Sequence, residues 1–191
     1  MPPKTRITAE MIIEAAFAIV RESGAENLNA RTIAQRLDCS TQPVLYQFAT
    51  VEDVRKATYA YADEYHTQYL MQGLEESPMP LLTLGMNYIR FAAREQHLFR
   101  FLFQSAGLGS GNLLSLMDDP GLAPMMALMQ QAMSISPEAA KRIFTQLFLT
   151  AHGYASLLAN NPMPYNENEA SHILDSAFNG ACAAEAITKE D

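Results

Sequence analysis

Polar side chains that can read the edge of a nucleic-acid base recur at helical spacing between residues 40 and 48. The residues of this stretch that we expect to face outward are Thr41, Gln42, Tyr46 and Gln47. A glutamine amide can pair with an adenine edge in the major groove, and a threonine can bond to a base or contact a thymine methyl group. A tyrosine hydroxyl can reach a phosphate oxygen. These residue types therefore indicate direct contact with double-stranded DNA.

Residues suited to the phosphate backbone surround this stretch. Ser40 and Thr32 fall at the predicted starts of helices, where the free N–H groups attract anions. Arg31 adds a positive charge nearby. Lys4 and Arg6 lie on an N-terminal arm that can follow the backbone or enter a minor groove. We therefore expect base contacts from one short helix and phosphate contacts from the residues around it.

Two short helices joined by a three-residue turn would hold these side chains in place. Asn29 is suited to cap a first helix over residues 30–37, and Ser40 is suited to cap a second helix over residues 41–48. The turn between them is the segment 38–40. This arrangement is the layout of a helix-turn-helix, in which the second helix reads the DNA.

The apolar residues of the two short helices indicate which faces are buried. The side chains that we expect to pack together are Val44, Leu45, Phe48, Ile33 and Leu37. They would also rest on a preceding helix, which begins after Thr8 as its cap and stops at Gly24. The sequence thus predicts a three-helix module at the N-terminus.

The rest of the chain also has helical periodicity and few signals for strands. Thr50 and Asp53 form a capping-box pair that begins a long helix reaching to about Gly73. Further helices are predicted over residues 81–95, 97–106, 112–133 with a break near 119–121, 137–159 and 167–187. The predicted fold is all-α with about nine helices. We divide it into a helix-turn-helix domain over 1–50 and a helical domain over 51–191.

The composition and charge of the chain limit the kinds of function that it can have. The chain has 191 residues, a formal net charge of -8 and 49% hydrophobic residues, which is enough to bury a substantial core. Residues 1–60 carry seven basic and seven acidic side chains, so the entire acidic excess lies after residue 60. This argues against binding nucleic acid by bulk charge, but it leaves sequence-specific binding open.

Other sequence signals bear on the compartment and on bound groups. No apolar run is long enough for a membrane span and no secretory signal is evident, so we expect a cytoplasmic protein that does not associate with membranes. Cys39 and Cys182 lie far apart, which is typical of reduced structural cysteines. We predict no metal and no cofactor. Neither a nucleophile–base set nor a glycine-rich phosphate loop is present, so an enzyme is not expected.

The N-terminal motif resembles a known family. The segments that carry the resemblance are Leu28-Asn29-Ala30-Arg31-Thr32-Ile33-Ala34, Ser40-Thr41-Gln42-Pro43-Val44-Leu45-Tyr46-Gln47-Phe48 and Glu52-Asp53-Val54. From Thr8 to about Tyr65 the chain is similar to the DNA-binding domain of TetR-family transcriptional regulators. The resemblance implies a homodimeric repressor that binds a palindromic operator and releases it when a small apolar effector binds. It further implies a variable helical C-terminal domain that dimerises through its last two long helices.

Three positions depart from the pattern of that family. Leu45 stands where the family usually has a phosphate-contacting tyrosine, Gln47 replaces a common histidine, and Val51 replaces a common lysine. These departures predict phosphate contacts that are weaker or distributed differently. They also leave an alternative open, namely a ligand-binding or protein-binding helical module whose DNA function has been lost.

A methionine-rich segment with nearby aromatic residues is the candidate effector site. Methionine serves both as core filler and at adaptable binding surfaces, so the sequence is compatible with either role. Pro120 and Pro124 interrupt the helix there, which favours a partly open apolar pocket. The candidate lining residues are Phe91, Phe103, Met117, Met125, Met129, Phe148 and His152. Of these, His152 is the candidate for a hydrogen bond to the effector.

The last two long helices carry apolar stripes rich in alanine. These stripes can bury within one subunit or pair across a twofold axis, and the family resemblance favours the twofold interface. The candidate interface residues are Leu147, Tyr154, Leu158, Ile173, Leu174, Ala177, Phe178 and Ala181. The acidity of this part of the chain makes a neutral or cationic effector more suitable than an anionic one.

Overall fold

The computed structural model describes residues 7–104 and 122–187, and the regular secondary structure in these ranges is helical. The described ranges contain nine α-helices and one 3-10 turn over Ala25–Asn27. The helices are α1 Ala9–Ser23, α2 Ala30–Arg36, α3 Thr41–Gln47, α4 Val51–Leu70, α5 Pro80–Arg94, α6 Gln96–Phe103, α7 Ala123–Met133, α8 Pro137–Asn160 and α9 Glu167–Ile187. The predicted all-α fold is confirmed.

Most of the predicted helix starts coincide with side-chain caps in the structure. The Thr8 hydroxyl accepts a hydrogen bond from the Met11 N–H at 3.3 Å. At the start of α4, the Thr50 hydroxyl accepts from the Asp53 N–H at 3.1 Å, and the Asp53 carboxylate accepts from the Thr50 N–H at 3.0 Å. At the start of α8, the Ser136 hydroxyl accepts a hydrogen bond from the Ala139 N–H at 3.2 Å. These bonds satisfy N–H groups that have no partner within their own helix.

Several predicted helix boundaries differ from the structure by one to three residues. The helix predicted over 81–95 runs from Pro80 to Arg94, because a proline fits the first helical position, where its missing N–H costs nothing. The helix predicted over 97–106 is shorter and ends at Phe103. The predicted helical segment over residues 112–121 lies outside the described residues.

The described residues form two compact units. The first unit comprises residues 7–72 and 91–104, which contain α1 to α4, the end of α5 and α6. The second unit comprises residues 73–90 and 122–187, which contain the beginning of α5 and α7 to α9. The two units are defined by packing within the chain. They do not test the functional boundary at residue 50, which stays a prediction.

Each unit has its own apolar core. In the first unit, α1 buries one face against α2, α3, α4 and α6, and its fully buried side chains include Ile12 and Val20. In the second unit, α8 packs against α7 and α9. The buried cluster there consists of Met126, Met129, Ala140, Ile143, Phe144 and Ala181. None of the described helices combines the length and hydropathy required to cross a bilayer.

Candidate nucleic-acid interface

The start of α2 is held by a reciprocal set of hydrogen bonds. The Asn29 side-chain oxygen accepts from the N–H groups of Arg31 and Thr32, both at 3.0 Å. In return, the Thr32 hydroxyl oxygen accepts from the Asn29 N–H at 3.2 Å. This capping box anchors the helix. A phosphate contact by Thr32 would have to compete with these bonds, whereas Arg31 is exposed beside it.

The turn between α2 and α3 has the geometry of a Schellman motif. The Cys39 N–H donates to the Ala34 carbonyl at 3.0 Å, and the Asp38 N–H donates to the Gln35 carbonyl at 3.3 Å. Asp38 adopts a left-handed conformation with φ 49°, which a short polar side chain accepts better than most others. These two bonds close the end of α2 and direct the chain into α3.

One apolar side chain anchors α3. Val44 is 1% exposed, and Ile33 of α2 is also buried, as the sequence predicts. The prediction that Leu45 packs beside Val44 is wrong, because Leu45 is 52% exposed. Successive helical residues are separated by about 100°, so a seven-residue helix that points Val44 inward turns Leu45 away from the core.

The outer face of α3 is formed by three of the four residues that are predicted to face DNA. Thr41 and Gln42 are exposed, and Tyr46 is 82% exposed. Gln47 is half-buried instead, and its side-chain N–H donates to the Ile7 carbonyl at 3.2 Å. The prediction that Gln47 faces outward is therefore wrong, because this amide fastens α3 to the chain that precedes α1.

The structure describes some of the predicted phosphate-contacting residues and not others. Ser40 is exposed at the start of α3, and its side chain makes no capping hydrogen bond. Lys4 and Arg6 lie outside the described residues. Arg36, a further basic residue on α2, is paired with Glu22 through two hydrogen bonds of 2.7 and 2.6 Å. The Arg36 charge is thus compensated within the module.

A charged joint that the sequence does not signal connects three helices of the first unit. The Nε atom of Arg21, on α1, donates to Glu95 at 2.8 Å, and a second guanidinium nitrogen binds the other carboxylate oxygen. The Tyr65 hydroxyl, on α4, donates to the same carboxylate at 3.2 Å. Glu95 is buried at the N-terminal end of α6. Hydrogen bonding to this carboxylate raises the pKa of Arg21 above its usual value.

Two of the predicted effector-site residues belong to the first unit and pack around a buried histidine. The His66 ring lies 4.8 Å from the Phe91 ring and 5.0 Å from the Phe103 ring, measured between centroids. Burial lowers the pKa of His66 to about 4, because its charged form would be poorly solvated there. Phe91 is itself fully buried. These two phenylalanines thus serve the core of the first unit.

The other described effector-site residues belong to the second unit. Met129 is part of the buried apolar cluster, and Met125 and Phe148 pack against it. The Phe148 ring stacks on the His152 ring with 5.6 Å between centroids. Tyr88, which no local sequence pattern singles out, places its hydroxyl 2.8 Å from Nδ1 of His152. Met117 lies outside the described residues.

Burial favours the uncharged forms of both side chains in the Tyr88–His152 pair. Burial raises the pKa of the Tyr88 hydroxyl and lowers the pKa of the His152 imidazole. Both shifts favour uncharged side chains. An apolar cluster with one neutral polar pair is the composition expected of a site for a small, largely apolar molecule.

The predicted dimer-interface residues of α8 and α9 differ in how far they are buried within the single chain. Tyr154, Leu158, Leu174 and Ala181 are buried within the single chain, so they have little surface left to bury against a partner. The other four predicted residues, Leu147, Ile173, Ala177 and Phe178, are half-buried. The exposed apolar residues of α8 are instead Leu149 and Leu157, with the exposed Gly153 midway between them.

Comparisons with known proteins agree with this architecture. Residues 81–179, just over half of the chain, match the family model described as tetracyclin repressor-like, C-terminal domain. No curated protein matches the sequence significantly. A crystal structure of the multidrug binding protein EbrR complexed with imidazole is 21% identical, covers 88% of both chains and has a TM-score of 0.55.

A second solved structure is similar over nearly the whole length. This TetR family transcriptional regulator from Pseudomonas syringae pv. tomato str. DC3000 is 19% identical and has a TM-score of 0.55. The match covers 96% of the present chain and 97% of the other. At these identities the two structures establish a shared fold, and the family match covers the C-terminal helices.

Proposed function

Because the chain belongs to the TetR family, the tetracyclin repressor-like proteins, we propose that it is a sequence-specific DNA-binding regulator of transcription. The observation that carries this proposal is the outer face of α3. Thr41, Gln42 and Tyr46 are exposed there, while Val44 anchors the same helix in the core. A short helix that is anchored by a buried side chain and carries polar side chains on its outer face is suited to the major groove.

In the proposed complex, some side chains contact base edges and others contact phosphates. Thr41 and Gln42 would reach base edges, and the hydroxyls of Ser40 and Tyr46 would bind phosphate oxygens. Arg31 would supply charge beside them, together with Lys4 and Arg6 on the N-terminal arm. Since residues 1–60 have no net charge, affinity must come from these local contacts and from the use of two subunits.

We further propose a homodimer that forms through the exposed faces of α8 and α9. Leu149, Gly153 and Leu157 are spaced four residues apart, so they lie along one side of α8. On α9, the exposed Ser176 and Gly180 have the same spacing. Small residues between larger ones allow two helices to approach closely. The two α3 helices of such a dimer would read half-sites about 34–36 Å apart in a palindrome.

The proposed effector site is the apolar cluster of the second unit, beside the Tyr88–His152 pair and Phe148. A small apolar molecule, neutral or cationic, suits this site because the chain is acidic after residue 60. The effector would favour a state with another spacing of the two α3 helices, which makes the protein a repressor that releases DNA. Its influence is limited to its difference in affinity for the two states.

A gel-shift experiment tests the DNA-binding proposal directly. The full chain is mixed at low salt, without effector, with the intergenic DNA upstream of its own gene. We expect a discrete complex on a palindromic segment, which Gln42→Ala weakens and Gln68→Ala, a change of an exposed glutamine on α4, does not. Failure of the wild type to bind any segment would refute the regulator proposal.

The alternative of a module without DNA function is distinguished by a second measurement. A library of apolar compounds is screened for those that raise the melting temperature of the chain. If such compounds bind while no DNA does, the protein is a ligand-binding module. If a compound binds and also dissociates the DNA complex, the proposed effector-controlled release of DNA is supported.

A further inference from the structure

Leu45 occupies an unusual place for a large apolar side chain. It is 52% exposed, although the residue before it, Val44, is 1% exposed and supplies the anchor of α3. Single exposed leucines are common on protein surfaces and by themselves need no explanation. This leucine, however, lies within the polar face that the proposed function assigns to DNA.

The helical register puts Leu45 next to the two proposed base-reading side chains. Thr41 lies four residues before it and Gln42 lies three residues before it, and both separations bring side chains together on a helix surface. All three are exposed. Whatever surface Thr41 and Gln42 contact is therefore within the reach of Leu45.

The chemistry of a DNA groove restricts what a leucine can contact favourably. A phosphate oxygen is charged and strongly hydrated, so an apolar side chain gains nothing by displacing its water. Among the base edges of the major groove, thymine presents an apolar substituent, the methyl group on C5. Contact between this methyl group and the Leu45 side chain removes apolar surface of both partners from water.

We propose that Leu45 reads thymine by contacting its C5 methyl group in the major groove. This inference rests on the proposed function and deepens it, because it assigns one determinant of the operator sequence to an apolar residue. Gln42 and Thr41 then supply hydrogen bonds on the same face, and Leu45 supplies shape and apolar contact.

The test removes single methyl groups from the DNA. A duplex is first selected from a random pool with the full chain, and each thymine of the selected site is then replaced by deoxyuridine, which lacks only the methyl group. We expect one thymine in each half-site whose replacement lowers the affinity of the wild type about fourfold, and about fifteenfold when both half-sites are changed.

Variants assign the effect to the residue. In Leu45→Ala, thymine and uracil duplexes should bind equally, and the melting temperature should stay unchanged because Leu45 is exposed. The matched control is Met71→Ala, which truncates another exposed apolar side chain, 57% exposed at the end of α4. This control should keep the full difference between thymine and uracil.

The possible failures are distinguishable. If a duplex is selected but no uracil replacement changes the affinity of the wild type, Leu45 does not read thymine and the proposed function stands. The same conclusion follows if Leu45→Ala keeps the wild-type difference. If no duplex is enriched from the pool, DNA binding itself is refuted, and this inference falls with it.

Discussion

Leu45 on α3 and Leu157 on α8 expose almost the same fraction of their side chains, 52% and 51%, in very different surroundings. The neighbours of Leu45 on the helix surface are Thr41 and Gln42, which can hydrogen-bond. The neighbours of Leu157 along its helix are Gly153 and, beyond it, another exposed leucine, Leu149. The exposed fraction alone therefore does not distinguish the two sites, but the chemistry beside each leucine does.

The lengths of the two helices sharpen this contrast. The seven residues of α3 present a small polar face that fits a groove about 12 Å wide. The 24 residues of α8 provide a long surface, along which a second helix can pack and exclude water. This contrast supports the proposals that the first surface binds DNA and that the second binds another subunit.

The largest expected effect comes from a charge placed on α8. Leu157→Glu would bury a carboxylate in the proposed interface of each subunit, at a cost of several kcal/mol per dimer. The dimer dissociation constant should rise at least about a hundredfold, and operator affinity should fall with it. Light scattering after size-exclusion chromatography measures the oligomeric state. Met71→Glu, the control, should remain dimeric, and a dimeric Leu157→Glu would refute this interface.

Acid should lower the stability of the first unit, whose core contains His66. Because burial lowers the pKa of His66 to about 4, the unfolded chain takes up a proton below about pH 6.5 while the folded chain does not. The free energy of unfolding should therefore fall by about 2 kcal/mol between pH 7 and pH 5 through this residue. Urea unfolding should show a smaller fall for His66→Leu. An equal fall in both proteins would contradict the burial of a neutral histidine.

A change confined to α3 should alter sequence preference without altering assembly. Gln42→Ala removes a side chain that can make two hydrogen bonds to adenine, a contact worth about 1–3 kcal/mol. Because both half-sites lose this contact, affinity for the selected operator should fall at least about thirtyfold, and the loss should vanish when one base pair per half-site is changed. Fluorescence anisotropy over a panel of single substitutions measures this. A uniform loss over the whole panel would assign Gln42 to the phosphate backbone.

The smallest expected effect concerns the N-terminal arm. Lys4→Ala should weaken binding to all sequences alike, by about threefold for each subunit near 0.1 M salt, and should reduce the slope of log affinity against log salt by about 2, one for each subunit. Titrations at several salt concentrations measure both quantities. If Lys4→Ala changed base preference instead, the division between base-reading and phosphate-binding residues would be wrong.

Features determined by neighbouring residues could be predicted from the sequence. The caps at Thr8, Asn29, Thr50 and Ser136 are local, because each bonds to an N–H two or three residues further along the chain. The all-α fold likewise follows from helical periodicity and these start signals. The sequence also predicts the position of the turn between α2 and α3, because the polar residues of the turn interrupt the apolar pattern of the two helices.

Features that depend on distant residues could not be predicted in this way. Arg21 and Glu95 are separated by 74 positions, and Tyr88 and His152 by 64, so no local pattern links them. Gln47 was expected to face outward because its partner, the Ile7 carbonyl, is a backbone group 40 positions away. The error on Leu45 has another cause: apolar character predicts burial on average, but only one position of α3 reaches the core.

The joint between Arg21, Glu95 and Tyr65 has a mechanical consequence for regulation. Both carboxylate oxygens of Glu95 are bound by the guanidinium of Arg21, so α1 cannot turn about its axis relative to the start of α6 without breaking two hydrogen bonds. Tyr65 ties α4 to the same point. A rotation of α6 is therefore transmitted to α1. Both α2 and α3 pack against α1.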